Sequence, residues 1–195
     1  MKFDPDKHHR RSIRLQGYDY SQPGGYFVTL VTQEHASLFG TIRNEEMILN
    51  AAGETVVKWW QELPNKFTLV SLGTFVVMPN HLHGIILIEE TVGADLRVCP
   101  DDTNSKQGEH TGSPLPTHQN TSLSQIVQWF KTMTTNKYIR GVKQFEWEPF
   151  NGKLWQRNYY EHIIRNQKDW NRIHRYIEAN PANWVDDEEN PTQSR

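Results

Sequence analysis

Two histidines separated by a single residue, His81 and His83, could together bind a divalent metal ion. They follow the turn-forming pair Pro79-Asn80, and apolar runs at 74–78 and 85–88 predict a β-strand on either side. Because side chains alternate along a strand, both imidazoles then emerge on the same face of a hairpin. Neutral ring nitrogens placed side by side suit one divalent cation. The alternative is that two polar residues simply begin a strand beside a turn.

The last predicted helix carries a second candidate group, Arg172, Tyr176 and Asn180, whose spacing of four residues keeps them near one face. Tyr176 is a phenol with an ordinary pKa near ~10, and it becomes an oxygen nucleophile if its phenolate is stabilised. Asn180 offers a carbonyl oxygen, a ligand that Mg²⁺ and Mn²⁺ prefer. If this face meets the hairpin, Asn180 completes the metal site and Tyr176 lies beside it. The alternative is that Tyr176 is a half-buried core residue and that Asn180 only ends the helix before Pro181.

The rest of the chain predicts the elements that must position these residues. Asn50, Ser122 and Asn166 are helix N-caps, and Ser122 has a capping-box partner, Gln125. The predicted order is strand 26–32, a short hairpin or loop at 39–48, helix 51–63, strands 67–77 and 81–89, a helix from 122 to Gly141, a last strand within 145–156 that runs on towards Tyr160, and a helix from 166 to 180. This order is the split βαβ plan, so the sequence predicts an α+β, ferredoxin-like domain with an antiparallel sheet and an extra C-terminal helix.

Four segments are predicted from local composition. Residues 1–22 form a basic N-terminal arm, and residues 23–184 form the single folded domain. Within that domain, residues 91–121 are rich in Asp, Thr, Ser, Gly and Pro without periodicity, which predicts a flexible insertion. Residues 185–195 are predicted to be an acidic tail.

Composition narrows the class of protein. Hydrophobic residues make up 36% of the 195 residues, which is enough for a core. The single cysteine, Cys99, excludes an internal disulfide and a thiolate metal cluster. No apolar run approaches the ~20 residues of a membrane helix, and the polar N-terminus lacks the apolar core of a signal peptide. We therefore expect no membrane partner and a cytoplasmic location.

Charge is distributed unevenly although the net charge is only −2. Residues 131–175 contain ten Lys and Arg against four Asp and Glu, whereas residues 176–195 contain one Arg against five acids. A basic surface separated from an acidic segment suits a nucleic acid, because the local potential attracts phosphates. An ordinary solvated surface is the alternative. The candidate phosphate contacts are Arg10, Arg11, Arg14, Lys131, Arg157, Arg165 and Arg172.

Three motifs together resemble one family. The segment 78–84 is similar to the His-hydrophobe-His motif of HUH endonucleases. Residues 155–165, WQRNYYEHIIR, followed by 176–181, YIEANP, resemble the C-terminal signature of REP-associated tyrosine transposases. Residues 14–20 and 26–29 resemble the N-terminal run of transposase-like relatives. The resemblance covers residues 10–184 apart from the 91–121 insertion, which is longer than the corresponding loop usually is.

This resemblance implies a transposase that cleaves and transfers single-stranded DNA, with hairpin-forming DNA as the substrate. The family's metal-binding histidines correspond to His81 and His83, its amide ligand to Asn180, and its nucleophile to Tyr176. The implied cofactor is Mg²⁺ with Mn²⁺ as a substitute, the implied intermediate is a 5′-phosphotyrosine, and the implied fold is again ferredoxin-like. Tyr159 and Tyr160 are rival nucleophiles, and Glu161 and His162 are rival metal or supporting groups.

Two other functions fit the same residues. A four-stranded sheet with exposed aromatics also describes RNA-recognition folds, so the chain could be a non-catalytic domain, derived from a transposase, that binds nucleic-acid hairpins. A metal-dependent hydrolase that activates water is the other alternative. Monomer and homodimer both remain open.

Overall fold

The computed structural model describes residue 15 and residues 17–90 and 121–192. Most of the predicted N-terminal arm and of the predicted 91–121 insertion lies outside these residues. The elements are β1 (Gly24–Val31), β2 (Gly40–Arg43), β3 (Glu46–Leu49), α1 (Ala51–Gln61), α2 (Leu63–Lys66), β4 (Val70–Val77), β5 (His81–Ile88), α3 (Leu123–Phe145), β6 (Tyr160–Ile164) and α4 (Gln167–Ala179), with short 3-10 turns at Gln33–His35 and Trp184–Asp186. In the described part of the chain, no helix is long and apolar enough to cross a membrane.

Four strands form the main sheet in the order β4-β5-β1-β6, and every neighbouring pair is antiparallel. Strands β2 and β3 pair separately as a hairpin. The four-stranded order is that of a split βαβ plan, in which the first strand lies between the third and the last. The predicted α+β class, with an antiparallel sheet flanked by helices, is confirmed.

Each face of the sheet is covered by a different set of helices. Tyr26, Val28 and Leu30 of β1 belong to the larger core, together with side chains of α1 and α3 such as Trp60 and Phe130. Phe27, between them in sequence, packs instead with Ile85 of β5 and with Ile173 and Ile177 of α4. This alternation is the period of two expected for strands buried on both faces. It places the side chains at positions 81, 83 and 85 on the α4 face.

The predicted helix N-caps are confirmed. The Asn50 side chain accepts a hydrogen bond from the backbone N–H of Gly53 at 2.9 Å, and Asn166 does the same for Asp169. Ser122 and Gln125 form the complete capping box. These local bonds satisfy backbone donors that a helix leaves unpaired at its start.

Three boundary predictions were wrong. The strand predicted at 67–77 begins only at Val70, because residues 63–66 form the short helix α2 and Phe67 caps its end. Helix α3 does not end at Gly141 but continues to Phe145, and Glu146 ends it in the left-handed region at φ 56°. Gly141 serves packing instead, since an added Cβ would lie 2.2 Å from the ring of Trp147. The last strand is Tyr160–Ile164, later than the predicted 145–156, where only Trp155 makes an isolated bridge, to Thr32.

A glycine next to the histidine pair fixes how closely the helical layer approaches the sheet. Gly84 lies opposite Val28 in β1, and an added Cβ would lie 2.4 Å from Cζ2 of the fully buried Trp60. A side chain at this position would push the indole away, because a packed core has no free volume to accept it.

We expect Gly84→Ala to lower the free energy of unfolding by roughly 1–3 kcal/mol, the usual cost of overpacking a core. Urea denaturation followed by tryptophan fluorescence measures the change. Gly25→Ala is the matched control, because its added Cβ would meet its nearest neighbour, Ile164, at 3.3 Å. Equal unfolding midpoints for both variants and the wild type would contradict this account of Gly84.

Candidate active site

The two imidazoles lie buried at the start of β5. His81 is 0% and His83 is 3% exposed, and their ring centroids are 4.5 Å apart. Both occupy the α4 face because they are two residues apart in a regular strand. The predicted juxtaposition of the two rings is therefore present.

One nitrogen of each ring is held by a neighbouring side chain. His81 Nδ1 is 2.8 Å from Oδ1 of Asn80, and His83 Nδ1 is 2.8 Å from Oγ1 of Thr29. The Nδ2 group of Asn80 donates to the carbonyl oxygens of His35 and Glu189, so its Oδ1 is left to accept from His81 Nδ1–H. This bond fixes the tautomer in which His81 Nε2 carries a lone pair. His81 Nε2 is buried and makes no hydrogen bond within the protein.

Helix α4 brings the predicted phenol to the imidazoles. Its buried residues Ile173 and Ile177 dock on the sheet, which turns the neighbouring Tyr176 towards β5. The Tyr176 hydroxyl is 3.3 Å from His83 Nε2, and the two ring centroids are 5.1 Å apart. The phenol remains reachable, since Tyr176 is 47% exposed. Helix α4 and the hairpin therefore meet as the sequence predicted.

Asn180 lies at the end of the same helix and is only 2% exposed. Its Nδ2 group donates to Oδ2 of Asp187 at 3.1 Å, whereas its Oδ1 is buried without a hydrogen-bond partner. A buried carbonyl oxygen without a donor is costly in a protein interior. The amide oxygen and His81 Nε2 are thus two buried atoms with free lone pairs, and both are of types that can bind a divalent cation.

Asp187 is a site residue that the sequence reading missed. A nitrogen of His81, a nitrogen of His83 and a carboxylate oxygen of Asp187 all lie within 4.8 Å of one another. The residue belongs to a run of four acids, which composition alone assigned to a tail. The aromatic Trp184 just before that run is the signal that could have found it, because its ring packs 5.9 Å from the His81 ring. The domain boundary at 184 stays a prediction.

The site favours neutral imidazoles and a protonated phenol. Burial lowers the pKa of His81 to about 4, although the negative charge of Asp187 and the Asn180 amide oppose the shift. Burial also lowers the pKa of His83 well below its ordinary value, and the nearby His81 adds to this effect. Burial, followed by the charge of Asp187, raises the pKa of Tyr176 to about 12. Two neutral nitrogens suit a metal, and the phenolate needs nearby positive charge before it forms at neutral pH.

Most of these side chains, although not that of His81, line a cleft of about 580 Å³ between the sheet, α4 and the segment that follows it. Tyr160 and His162, two of the rival groups, also face this cleft, and Tyr160 is 52% exposed. His162 Nε2 is 2.7 Å from Oδ2 of Asp169, and the predicted phosphate contact Arg172 donates to Oδ1 of the same carboxylate at 2.6 Å. The remaining lining residues are Phe27, Thr29, His83, Ile173, Tyr176, Asn180, Asn183, Asp186, Asp187, Glu188 and Glu189.

The other predicted residues lie elsewhere. Tyr159 lines a groove on the opposite side of β6, as do Lys131 and Arg157. Lys131 donates to the carbonyl oxygens of Gln156 and Asn158, and burial lowers its pKa to about 8. Glu161 has buried carboxylate oxygens and Arg165 is exposed, and neither lines the cleft. Arg10, Arg11 and Arg14 lie outside the described residues, and all the roles assigned from sequence stay predictions.

Comparison with known proteins gives related sequences and folds. Residues 108–180 match a family described as transposase IS200-like. A protein of Haemophilus influenzae, described as uncharacterized, is 38% identical over 187 residues, which cover 96% of each chain. The structure of a REP-associated tyrosine transposase bound to a REP hairpin is similar with a TM-score of 0.53 and 17% identity, over 89% of this chain and 74% of that one. A putative transposase from Deinococcus radiodurans gives a TM-score of 0.44 and 14% identity, over 86% and 96% of the two chains.

We expect His81 of the metal-free protein to stay neutral down to a pH of about 4, its pKa in the fold. In the unfolded state His81 has an ordinary pKa of about 6.5, so the unfolded chain binds the proton first as the pH falls. The free energy of unfolding is therefore unaffected by His81 above pH ~6.5 and decreases as the pH falls from there towards the pKa of the folded state. Imidazole ¹⁵N NMR against pH measures the midpoint. Asp187→Asn should lower that pKa further, and a His81 midpoint near 6.5 in the folded protein would refute the assignment.

Proposed function

Because residues 108–180 match the IS200-like transposase family, we propose that the chain belongs to this family and that it cleaves and rejoins single-stranded DNA through a covalent bond to Tyr176. The observation that carries this proposal is the position of the Tyr176 hydroxyl, 3.3 Å from His83 Nε2 at a cluster of buried metal-binding atoms. An exposed phenol beside such a cluster has the composition of a metal-assisted nucleophilic site.

We assign the metal to His81, His83 and Asn180, with Asp187 as an additional carboxylate ligand. The supporting evidence is the burial of His81 Nε2 and Asn180 Oδ1 without protein partners. Nitrogen, amide and carboxylate donors together suit Mg²⁺ or Mn²⁺. When bound, the cation supplies positive charge that polarises the phosphate oxygens and stabilises the phenolate.

The covalent step balances without an external energy source. The Tyr176 oxygen attacks the scissile phosphorus, the bond from phosphorus to the 3′-oxygen breaks, and the phenol loses the proton that the leaving 3′-hydroxyl gains. The product strand stays joined to the protein through a 5′-phosphotyrosine. A second 3′-hydroxyl reverses the attack and joins two DNA ends, because the energy of the ester bond is kept in the phosphotyrosine.

Positioning falls to residues around the cleft. Phe27 packs edge-on against the Tyr176 ring at 6.0 Å between centroids, which restricts the direction in which the hydroxyl points. Arg172 lies one turn earlier on α4, 63% exposed at its side chain, where it can reach a phosphate next to the scissile one. We propose that the DNA forms a hairpin, as in the structural neighbour, which is bound to a REP hairpin. The site is compatible with a monomer and with a homodimer.

We expect Tyr176→Phe to abolish the covalent adduct and to slow strand cleavage at least about a thousandfold, as loss of a nucleophile does. A denaturing gel of the protein with labelled single-stranded hairpin DNA and Mn²⁺ measures both. Tyr160→Phe is the matched control, since Tyr160 faces the same cleft without a contact to His83. Adduct lost in Tyr160→Phe instead would transfer the role to that residue. A free 5′-phosphate product without any adduct indicates a hydrolase, and binding without cleavage indicates a non-catalytic domain.

We expect Thr29→Val to weaken Mn²⁺ binding about 10–100-fold, because the valine cannot bond His83 Nδ1 and the ring loses its fixed orientation. Isothermal titration calorimetry of the metal alone measures the dissociation constant. Thr134→Val is the control for general damage to the core. It removes a buried hydroxyl of α3 that accepts a hydrogen bond from the Trp155 indole. Equal affinities in the two variants would show that Thr29 does not support a metal ligand.

A further inference from the structure

A second concave surface lies between α3 and the loop that leads into β6. This surface, here named the α3 groove, has a volume of about 700 Å³, somewhat more than the cleft at Tyr176. Its lining residues are Ser124, Val127, Gln128, Lys131, Thr132, Thr135, Asn136, Gly152, Lys153, Leu154, Trp155, Gln156, Arg157 and Tyr159.

The charges of the groove are of one sign. Lys131, Lys153 and Arg157 line it without any Asp or Glu, and the latter two are exposed. The cleft at Tyr176 has the opposite character, since four consecutive acids from 186 to 189 line it against Arg172 and two histidines. Those acids favour a metal ion but repel the phosphates of an incoming strand. We therefore expect most of the affinity for DNA to come from a surface outside the cleft.

One face of α3 adds uncharged hydrogen-bonding groups to the cations. Ser124, Gln128, Thr132 and Asn136 follow one another at intervals of four residues and line the groove together. Amide and hydroxyl groups can contact the edges of unpaired bases, whereas a purely electrostatic surface would need only Lys and Arg. The groove thus combines contacts to phosphates with contacts to bases.

The two concave surfaces meet at the start of β6. Tyr159 lines the α3 groove and the next residue, Tyr160, lines the cleft, because adjacent side chains of an extended chain point to opposite sides. Among residues 17–90 and 121–192, strand β6 is at the edge of the sheet, and no further strand separates the two surfaces there. The Lys131 ammonium lies 5.4 Å from the centroid of the Tyr159 ring, which holds that ring at the junction.

We propose that the α3 groove binds the single-stranded DNA segment that continues from the scissile phosphate, after the strand crosses the edge of the sheet at Tyr159 and Tyr160. This proposal rests on the proposed function, because it takes the cleft as the place of cleavage. Complementary chemistry selects this occupant, because the exposed cations suit phosphates and the amide and hydroxyl groups of α3 suit the edges of unpaired bases.

The test measures DNA affinity in a Tyr176→Phe background, in which the strand is bound but not cut. The groove variant combines Lys153→Gln with Arg157→Gln and so removes two cations of the groove. The control variant combines Arg43→Gln with Lys58→Gln and removes two exposed cations that line neither surface. Fluorescence anisotropy at several salt concentrations compares a hairpin that carries single-stranded flanks with the same hairpin cut flush. Circular dichroism checks that both variants fold.

The groove variant should bind the flanked hairpin about tenfold more weakly than the control, with a salt slope smaller by about 1.4, the value for two lost contacts to a single strand. The flush hairpin should bind both variants equally. Gln128→Ala should weaken binding of the flanked hairpin without changing the salt slope, since it removes no charge.

Two results would overturn the proposal. Equal affinity of the groove and control variants for the flanked hairpin would show that no strand lies in the groove. An equal loss for flanked and flush hairpins would place the duplex stem there instead. Cleavage is measured separately in variants that retain Tyr176. If a covalent adduct forms but the groove variant binds DNA as well as the control, the groove proposal fails and the proposed function stands. If the groove variant binds more weakly but no adduct forms, the proposed function fails and the groove proposal keeps its support from binding.

Discussion

The antiparallel pairing of β1 with β5 sets the geometry of the whole site. This register places Thr29 opposite His83, where its hydroxyl reaches Nδ1, and it places Val31 opposite His81. A slip of one residue would turn every side chain of β5 to the other face and bury the imidazoles against Trp60. Gly84 resists that slip, because only a residue without Cβ fits beneath the indole. The packing on one face of the sheet thus fixes the chemistry on the other.

Burial at this site has an electrostatic cost that shapes its reactivity. His81 Nε2 and Asn180 Oδ1 are both buried, and neither accepts a hydrogen bond from the protein in place of the one that water would give. The same burial, together with the charge of Asp187, raises the pKa of Tyr176, so the phenol is a poor nucleophile by itself. Positive charge among these groups would relieve all three penalties at once, which explains why they lie together. On the proposed function, the Tyr176 phenol therefore forms no bond to DNA until a cation is bound.

Sequence predicted most of the fold and the central pair of contacts, for physical reasons that are local. Helix caps such as Asn50 and Asn166 act within four residues, and the spacing of His81 and His83 in a strand determines their common face. Asp187 could not be found this way, because its place depends on Trp184 docking beside a ring about a hundred positions earlier in the chain. The late position of β6 was missed for a similar reason: residues 145–156 are aromatic enough for a strand, yet Pro149 and the left-handed Gly152, at φ 67°, keep the chain irregular.

Asn80 illustrates how few amino acids one position of a turn can accept. At the corner of a hairpin, Asn, Asp and Gly are usually exchangeable. Here both polar groups of the carboxamide form hydrogen bonds. The Nδ2 group donates to the carbonyl oxygens of His35 and Glu189, and Oδ1 accepts from His81 Nδ1–H. Aspartate would present lone pairs to two carbonyls, and glycine would leave all three groups unsatisfied. Of these residues, only asparagine therefore makes all three hydrogen bonds, and the need to orient the His81 ring restricts this turn position to it.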